Sequence, residues 1–426
     1  MTSGDDALFL GLDAGTSGIR AVCVDRYGAN VAGARTAYQD DAAARLPDVW
    51  KAGVFEVIAA LSRQIALARV QGIAVDGQSG TALLCDDHGT PLSPAMFYDE
   101  PPSDHAIELL TASLHLGHQQ VPATLGRITD LWSANKPGRF HAVHQADWIA
   151  GLFCGRFDFS DENNSLKLGY DPTTAGWKFD TTPLPFDARA LPTVFPPATG
   201  IGRVNKSIAE QYGFSPKCQV FTGTTDGMAG FIAASGLDSL DQATAVTSLG
   251  TTLVLKTISP RRVDVAEFGI YSHKLFDKWV AGGASNAGGG ALLRHFSPDE
   301  MTSLSRQIDP DVASGLDFYP LVSKGERFPV LDNDLLDRTT PRPESDVEFL
   351  AGLFESIARI EKTGFDLLRE YGVPFPTSVK TVGGGSQNET WLKIRQRILG
   401  VPVVAADEAE AAHGAALLTL RGGGIR

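Results

Sequence analysis

Residues 220–256 read VFTGTTDGMAGFIAASGLDSLDQATAVTSLGTTLVLK, and their first half predicts a strand, a turn and a helix in succession. A short apolar strand is followed by a Thr/Gly turn over 222–225, and Asp226 then stands at the start of a helix of small residues over 227–235. This order predicts one carboxylate at a helix N-terminus, beside a cleft.

The second half of the same stretch predicts a hairpin. Apolar strands over 243–249 and 253–256 are joined by the tight turn Gly250-Thr251-Thr252. Such a turn can direct backbone N–H groups and hydroxyls at an anion.

A related hairpin occurs near the N-terminus. Residues 8–12 are apolar, 13–18 read DAGTSG, and 19–24 are apolar again. Because both hairpins have the order strand, Gly-Thr loop, strand, we interpret the chain as two related domains, over 1–235 and 236–426.

Composition narrows the classes of function. A chain of 426 residues is long enough for two domains of about 200 residues each. The net charge of −13 argues against nucleic-acid and anionic-membrane partners, because these require clustered Lys and Arg. We therefore expect an enzyme acting on a small molecule. With no signal peptide before the first strand and no apolar run of about 18 residues, we expect it in the cytoplasm.

Four motifs together resemble the FGGY family of carbohydrate kinases. They are DAGTSGIR at 13–20, TTDG at 224–227, SLGTT at 248–252 and GGGSQN at 383–388. The resemblance implies an α/β, two-domain, actin-like ATPase (ribonuclease H-like) fold with a cleft between the domains. It also implies ATP and Mg²⁺ as cofactors.

Phosphoryl transfer depends on donors around the phosphates and on a divalent cation. Asp13 precedes the first hairpin, where a carboxylate suits Mg²⁺ held through water, so Asp13 is the predicted metal residue. The 384–388 segment is similar to the family's adenosine-binding segment. The residues predicted to bind the cofactors are Asp13, Gly15, Thr16, Ser17, Arg20, Gly250, Thr251, Thr252, Gly384, Gly385, Ser386 and Asn388.

The attacking hydroxyl of the sugar needs a base. The resemblance maps Asp226 onto the family's catalytic aspartate, whereas for a single aspartate helix capping is the simpler explanation. The residues predicted to bind the substrate are Ser79, Gly80, Asp99, Asp226 and Gly227.

Other classes of protein are disfavoured by missing patterns. The sequence has no G-x-x-x-x-G-K-[ST], which excludes a P-loop kinase. The segment GQSGT at 77–81 fails as a G-x-S-x-G nucleophile elbow, because Thr81 replaces the second Gly. The remaining alternative is an actin-like or chaperone-type ATPase without a sugar substrate. Asp226 with a polar pocket at Ser79 and Asp99 favours the kinase.

The loop after Gln78 bears on the substrate. In the glycerol kinase pattern this Gln is followed by Arg-Glu-Thr, and bacterial xylulokinases carry Gly-Gln-Met-His-Gly. This chain has Ser79-Gly80-Thr81 after Gln78 and resembles neither pattern. The DGQSGT loop is most similar to D-ribulose kinases and xylulose-kinase-like relatives. We therefore expect D-ribulose as substrate, with D-xylulose as the alternative. A small sugar is the expected partner, and a homodimer is left open.

Overall fold

The computed structural model describes residues 6–237 and 243–424, which form two compact units. The first unit runs to Ala233 and also includes the chain from Glu410 onward, and the second runs from Ala234 to Ala409. Each unit has its own hydrophobic core, with Trp50 and Phe153 buried in the first and Leu353 in the second.

The strands and helices alternate along both units. The strands are β1 (Leu8–Ala14), β2 (Gly18–Asp25), β3 (Asn30–Ala37), β4 (Val70–Gly77), β5 (Ala82–Cys85), β6 (His141–His144), β7 (Phe159–Asp161), β8 (Tyr170–Asp171), β9 (Gly176–Trp177), β10 (Thr193–Phe195), β11 (Gly200–Arg203), β12 (Gln219–Phe221), β13 (Thr224–Thr225), β14 (Thr244–Leu249), β15 (Leu253–Ser259), β16 (Tyr271–Leu275), β17 (Lys278–Ser285), β18 (Ser378–Val382) and β19 (Val403–Ala405). The helices are α1 (Pro47–Leu61), α2 (Asp104–Leu114), α3 (Ala123–Asn135), α4 (Gln145–Cys154), α5 (Lys206–Tyr212), α6 (Asp226–Ser235), α7 (Gly289–Leu292), α8 (Pro298–Ser305), α9 (Asp346–Glu370), α10 (Glu389–Leu399) and α11 (Ala411–Gly422).

The main sheet of the first unit combines an antiparallel hairpin with parallel strands. Its order is β11-β12-β4-β1-β2-β3, and β13 also pairs with β4. Strands β1, β2 and β3 are antiparallel neighbours, while β4 runs parallel to β1, β12 and β13. Because β4 has strands on both sides and is buried almost throughout, its polar residues are placed only near its two ends, at Gln71 and Asp76.

The sheet of the second unit repeats this plan. Its order is β16-β17-β15-β14-β18-β19, with β14, β15 and β17 antiparallel and β18 parallel to both β14 and β19. The sequence β3-β2-β1-β4-β12 of the first sheet therefore corresponds to β17-β15-β14-β18-β19 of the second. The two hairpins with Gly-Thr loops occupy equivalent places, as the prediction of two related halves requires.

The compact units differ from the predicted domains at the C-terminal end. Residues 410–426 were expected in the second domain, but α11 packs on β1 and belongs to the first unit. Glycines allow this close packing: a Cβ at Gly11 would overlap the carbonyl oxygen of Ala412, and a Cβ at Gly414 would overlap that of Ala229 in α6. No helix among residues 6–237 and 243–424 is both long and apolar enough to cross a membrane.

Candidate active site

Acidic residues of the first unit meet where three parallel strands end. In the register of the sheet, Asp13 of β1 is paired with Asp76 of β4, and Asp76 is paired with Thr224 of β13. Asp226 follows β13 directly, as the first residue of α6. The carboxyl ends of parallel strands are the usual position of ligand sites in α/β sheets.

The β1–β2 hairpin brings several predicted cofactor residues together. Asp13 is almost fully buried and accepts a hydrogen bond of 2.9 Å from Nη1 of Arg20, its cross-strand neighbour. Nη2 of Arg20 donates to Oγ of Ser17 at 3.4 Å. Thr16 and Ser17 are exposed at the tip, so their N–H and hydroxyl donors are accessible to an anion.

Asp76 is a residue that the sequence analysis did not single out. Its side chain is completely buried. Burial raises the pKa of Asp76 well above its ordinary value, and the negative charges of Asp13 and Asp226 raise it further. In the register of the sheet Asp76 is the neighbour of Asp13, so two carboxyl groups lie side by side and burial disfavours the charged form of Asp76. The sequence alone shows polar residues after an apolar strand, and it does not show that Asp13 and Asp76 are neighbours in the sheet.

The side chains of this region can be compared with the ligands that Mg²⁺ prefers. Among residues 6–237 and 243–424, no three His, Cys, Asp or Glu side chains lie close enough to hold a metal ion. Asp13 instead offers one buried carboxylate next to an exposed hairpin tip. One carboxylate suits Mg²⁺, which keeps most of its waters and binds substrate phosphates.

The loop after β4 contains the predicted substrate residues Ser79 and Gly80, and two cations hold its carbonyl groups. Nζ of Lys167 donates to the Ser79 carbonyl at 2.9 Å, and Nη1 of Arg127 donates to the Gly80 carbonyl at 3.3 Å. Gly80 has a φ of +96°, a conformation that favours glycine. Burial lowers the pKa of the Lys167 ammonium group, and the charge of the nearby Asp226 offsets part of this shift.

Asp99 is the predicted substrate residue with the weakest link to this loop. Its side chain is exposed and forms an ion pair of 3.7 Å with Arg45. The neighbouring carbonyl groups of Tyr98 and Glu100 each accept a hydrogen bond of 2.6 Å from Arg127. Arg127 therefore joins the segment that contains Asp99 to the Gly80 loop. It was not among the predicted residues, because an arginine in a helix is ordinarily a surface residue.

Polar groups are buried around the same loop. The backbone N–H of Gln78 donates to Oε1 of Gln145 at 3.1 Å, and Nδ2 of Asn163 donates to Oγ1 of Thr224 at 3.0 Å. Several other buried atoms form no hydrogen bond within the described parts of the chain, namely Nε2 of Gln78, Nε2 of Gln145, Oγ1 of Thr124, Oδ1 of Asn164 and Oγ of Ser165. Buried polar atoms normally have partners, so this region suits water or a hydroxyl-rich ligand.

The second unit contains a cavity of about 840 Å³, which is within the usual range for small-molecule sites. Five predicted cofactor residues line it: Gly250, Thr251, Gly384, Gly385 and Asn388. Its apolar walls include Leu292, Met301, Phe354 and Trp391. An apolar cavity bordered by glycine loops is suited to a flat base with phosphates at one end.

Three other predicted cofactor residues, Ser386, Asn388 and Thr252, form hydrogen bonds within their own loops. Oγ of Ser386 donates to the Gly383 carbonyl at 2.7 Å, and Oδ1 of Asn388 caps α10 by accepting from the Trp391 N–H at 3.0 Å. The Thr252 carbonyl accepts the Gly250 N–H at 3.2 Å within the hairpin turn. These side chains and this carbonyl therefore shape the loops.

The hairpin turn is held against the two glycines that begin α7. The N–H groups of Gly289 and Gly290 donate to the carbonyls of Gly250 and Thr251, at 2.7 and 3.1 Å. A Cβ at Gly289 would lie only 2.7 Å from the Gly250 carbonyl oxygen, so the approach requires glycine. These glycines were not among the predicted site residues.

A buried ion pair fixes the strands that lead into the two loops. Arg395 of α10 and Glu361 of α9 are fully buried and joined by two hydrogen bonds, of 2.6 and 2.7 Å. Oγ1 of Thr247 donates to Glu361 at 2.6 Å, and Arg395 donates to Oγ1 of Thr381 at 2.7 Å. Because Thr247 and Thr381 are register partners on β14 and β18, the network sets the relative position of the Gly250 and Gly383 turns.

The repeated sheet, the acidic strand ends and the nucleotide-sized cavity define a protein of the actin-like ATPase fold. Comparison with family models makes the assignment specific. Residues 8–136 match the N-terminal domain and residues 245–422 match the C-terminal domain of the FGGY family of carbohydrate kinases. The chain belongs to this family and is a carbohydrate kinase, which confirms the resemblance and the predicted fold.

Relatives with known names agree with this family. The xylulose kinase of Bacillus subtilis is 25% identical, over 97% of this chain and 88% of its own length. The xylulose kinase of Lactococcus lactis is 23% identical, over 93% of this chain and 83% of its own length. The crystal structure of xylulose kinase from Rhodospirillum rubrum aligns with a TM-score of 0.79 at 21% identity, covering 98% of this chain and 90% of that one.

Proposed function

We propose that the protein transfers the γ-phosphate of ATP to the terminal hydroxyl of an open-chain ketopentose. The observation that carries this proposal is the register of the first sheet, which puts Asp13 of the phosphate hairpin next to the strand that ends in the Ser79–Gly80 loop, with Asp226 following the adjacent strand. One edge of one sheet thus offers a phosphate turn, a sugar loop and a base.

The two glycine-lined regions would bind the nucleotide. The Gly250 turn and the Gly384 loop border the cavity of the second unit, where an adenosine would be enclosed by apolar side chains. Gly15, Thr16 and Ser17 would donate to phosphate oxygens, and Asp13 would hold Mg²⁺ through its waters. The bound Mg²⁺ would supply neutralisation of charge on the phosphates.

Asp226 is the proposed general base. It begins α6 and is exposed, so a sugar hydroxyl can reach its carboxylate. Asp226 accepts the hydroxyl proton as the oxygen attacks phosphorus, and the bond to the leaving oxygen of ADP breaks. Asp13 and Asp76 are buried, which leaves the exposed Asp226 as the acceptor.

D-xylulose is the substrate that we propose first. Relatives that match nearly the whole chain are named xylulose kinase, and this support goes against the expectation that D-ribulose is preferred. D-ribulose is the second candidate, since this chain has Ser79 and Gly80 where xylulokinases carry a Met-His pair. The two sugars differ only in the configuration at C3, and a site built around one leaves polar groups unpaired with the other.

A coupled assay of ADP release would test this function. The panel contains D-xylulose, D-ribulose, L-ribulose, ribitol, glycerol and D-gluconate, each with Mg²⁺ and ATP. We expect the two D-ketopentoses to be the best substrates and D-xylulose to have the higher kcat/KM. ATP hydrolysis that no member of the panel stimulates would contradict the proposal.

A further inference from the structure

Lys167 lies between the proposed sugar loop and the proposed base. It is part of the 3-10 turn Asn164–Leu168, and its Nζ donates to the Ser79 carbonyl at 2.9 Å. Its stem passes over Gly80, because a Cβ at Gly80 would lie 3.2 Å from Cδ of Lys167. The charge of Asp226 acts on the ammonium group. Three of the predicted substrate residues are thus neighbours of this one side chain.

The two cations beside the loop differ in their free hydrogen-bonding capacity. Arg127 is buried and donates to three backbone carbonyls, those of Gly80, Tyr98 and Glu100. Lys167 is exposed and makes one hydrogen bond within the described residues. An ammonium group has three N–H donors, so Lys167 retains two for a ligand. Arg127 therefore shapes the loop, and Lys167 can contact a substrate.

The charges around Lys167 favour a neutral substrate. The ammonium group stands near the Asp226 carboxylate, and the region also contains Asp13, with Glu100 and Asp99 near Arg127. Arg20 and Arg45 pair with Asp13, Asp99 and Glu100, so at Lys167 a substrate carboxylate would meet the repulsion of Asp226 itself. A hydroxyl or carbonyl oxygen can accept from Lys167 without that repulsion.

We propose that Lys167 is a specificity-determining residue, whose ammonium group donates hydrogen bonds to a hydroxyl or carbonyl oxygen of a neutral open-chain sugar held between the Ser79–Gly80 loop and Asp226. This inference rests on the proposed function. It assigns Lys167 to the substrate and not to the nucleotide.

The test compares the Lys167→Met and Lys167→Arg variants with the wild type. Methionine keeps the length of the stem and removes every donor. Loss of a hydrogen bond from a charged donor should lower kcat/KM for the ketopentose by roughly 10- to 100-fold, mainly through KM. The KM for ATP should not change, and Lys167→Arg should restore part of the loss. Lys178→Met is the matched control, because Lys178 is also an exposed lysine and lies a short way further along the chain. It should resemble the wild type.

Deoxy analogues of the sugar separate substrate contact from loop support. If Lys167 binds one sugar oxygen, the wild type should discriminate against the analogue that lacks it, and Lys167→Met should treat this analogue and the parent sugar nearly alike. A lysine that only supports Ser79 would lower both activities equally. Unchanged discrimination against every analogue in Lys167→Met would therefore overturn the proposal.

The same assay keeps the two proposals apart. If the wild type phosphorylates no ketopentose, the proposed function is contradicted. Lys167→Met and Lys178→Met are then compared with the best sugar of the panel as substrate. An equal KM in these two variants overturns the role of Lys167. A preference of the wild type for an aldonic acid that disappears in Lys167→Met overturns the neutral acceptor.

Discussion

Replacement of Gly384 by valine is expected to weaken nucleotide binding without disturbing the fold. Gly384 lines the cavity of the second unit, and a Cβ added there would meet no heavy atom within 4 Å. The new side chain therefore occupies space meant for a ligand. Overpacking of a close-fitting site costs about 1–3 kcal/mol, which corresponds to a Kd raised by roughly 5- to 150-fold.

Isothermal titration with ADP would measure this loss, and a melting curve would verify that the variant is folded. Gly138→Val is a suitable control, since a Cβ at Gly138 also meets nothing within 4 Å and Gly138 is in the first unit. Gly385→Val would be less informative, because its Cβ would lie 2.5 Å from Cδ2 of Leu249. An ADP affinity in folded Gly384→Val equal to that of Gly138→Val would refute the assignment of the cavity.

Three further predictions concern the first unit. Asp226→Asn should lower kcat by about 10²-fold or more while ADP still binds, because the amide retains the Oδ1 that accepts the Gly227 N–H and loses only the base; near-normal turnover would exclude Asp226 as the base. Gly414→Val should markedly lower the free energy of unfolding in urea, because a Cβ there overlaps the Ala229 carbonyl, and a stable variant would contradict the packing of α11. Burial and the charge of Asp147 raise the pKa of Asp161 to about 8, so the folded state holds a proton that the unfolded chain loses near its ordinary value of 3.8. The free energy of unfolding of the wild type should then fall between about pH 4 and pH 8, by at most ~1.4 kcal/mol per pH unit, and Asp161→Asn should show a smaller fall; equal slopes in urea titrations at several pH values would disprove the shift.

Much of the fold could be predicted because local patterns determine it. The hairpin around Gly250 and the helix that begins at Asp226 are at the predicted places, since apolar runs interrupted by Gly and Thr leave few alternatives. The long helix α9 begins after Ser345, whose hydroxyl accepts the Glu348 N–H, and the Ser-x-x-Glu pattern at 345–348 is typical of such a start.

The parts that were missed depend on contacts between distant residues. Asp76 and Arg127 act through pairings with β1 and with the 98–100 segment, and no local pattern specifies those neighbours. The position of α11 was missed for the same reason, because an Ala-rich helix can pack on any sheet face that leaves room for it. Asp99 was expected at the substrate, and its role stays a prediction.

The place of α11 has a consequence for how the protein is made. The helix that covers β1 is translated only after the whole second unit and lies about 400 residues further along the chain, so at about 5–20 residues per second the strand emerges roughly 20 to 80 s before its cover exists. During that interval the face of β1 that includes Phe9 and Gly11 is not covered by α11. We expect a ribosome-bound chain stalled before residue 410 to recruit chaperones. A fragment ending at Ala233 should aggregate unless the 410–424 segment is supplied to it.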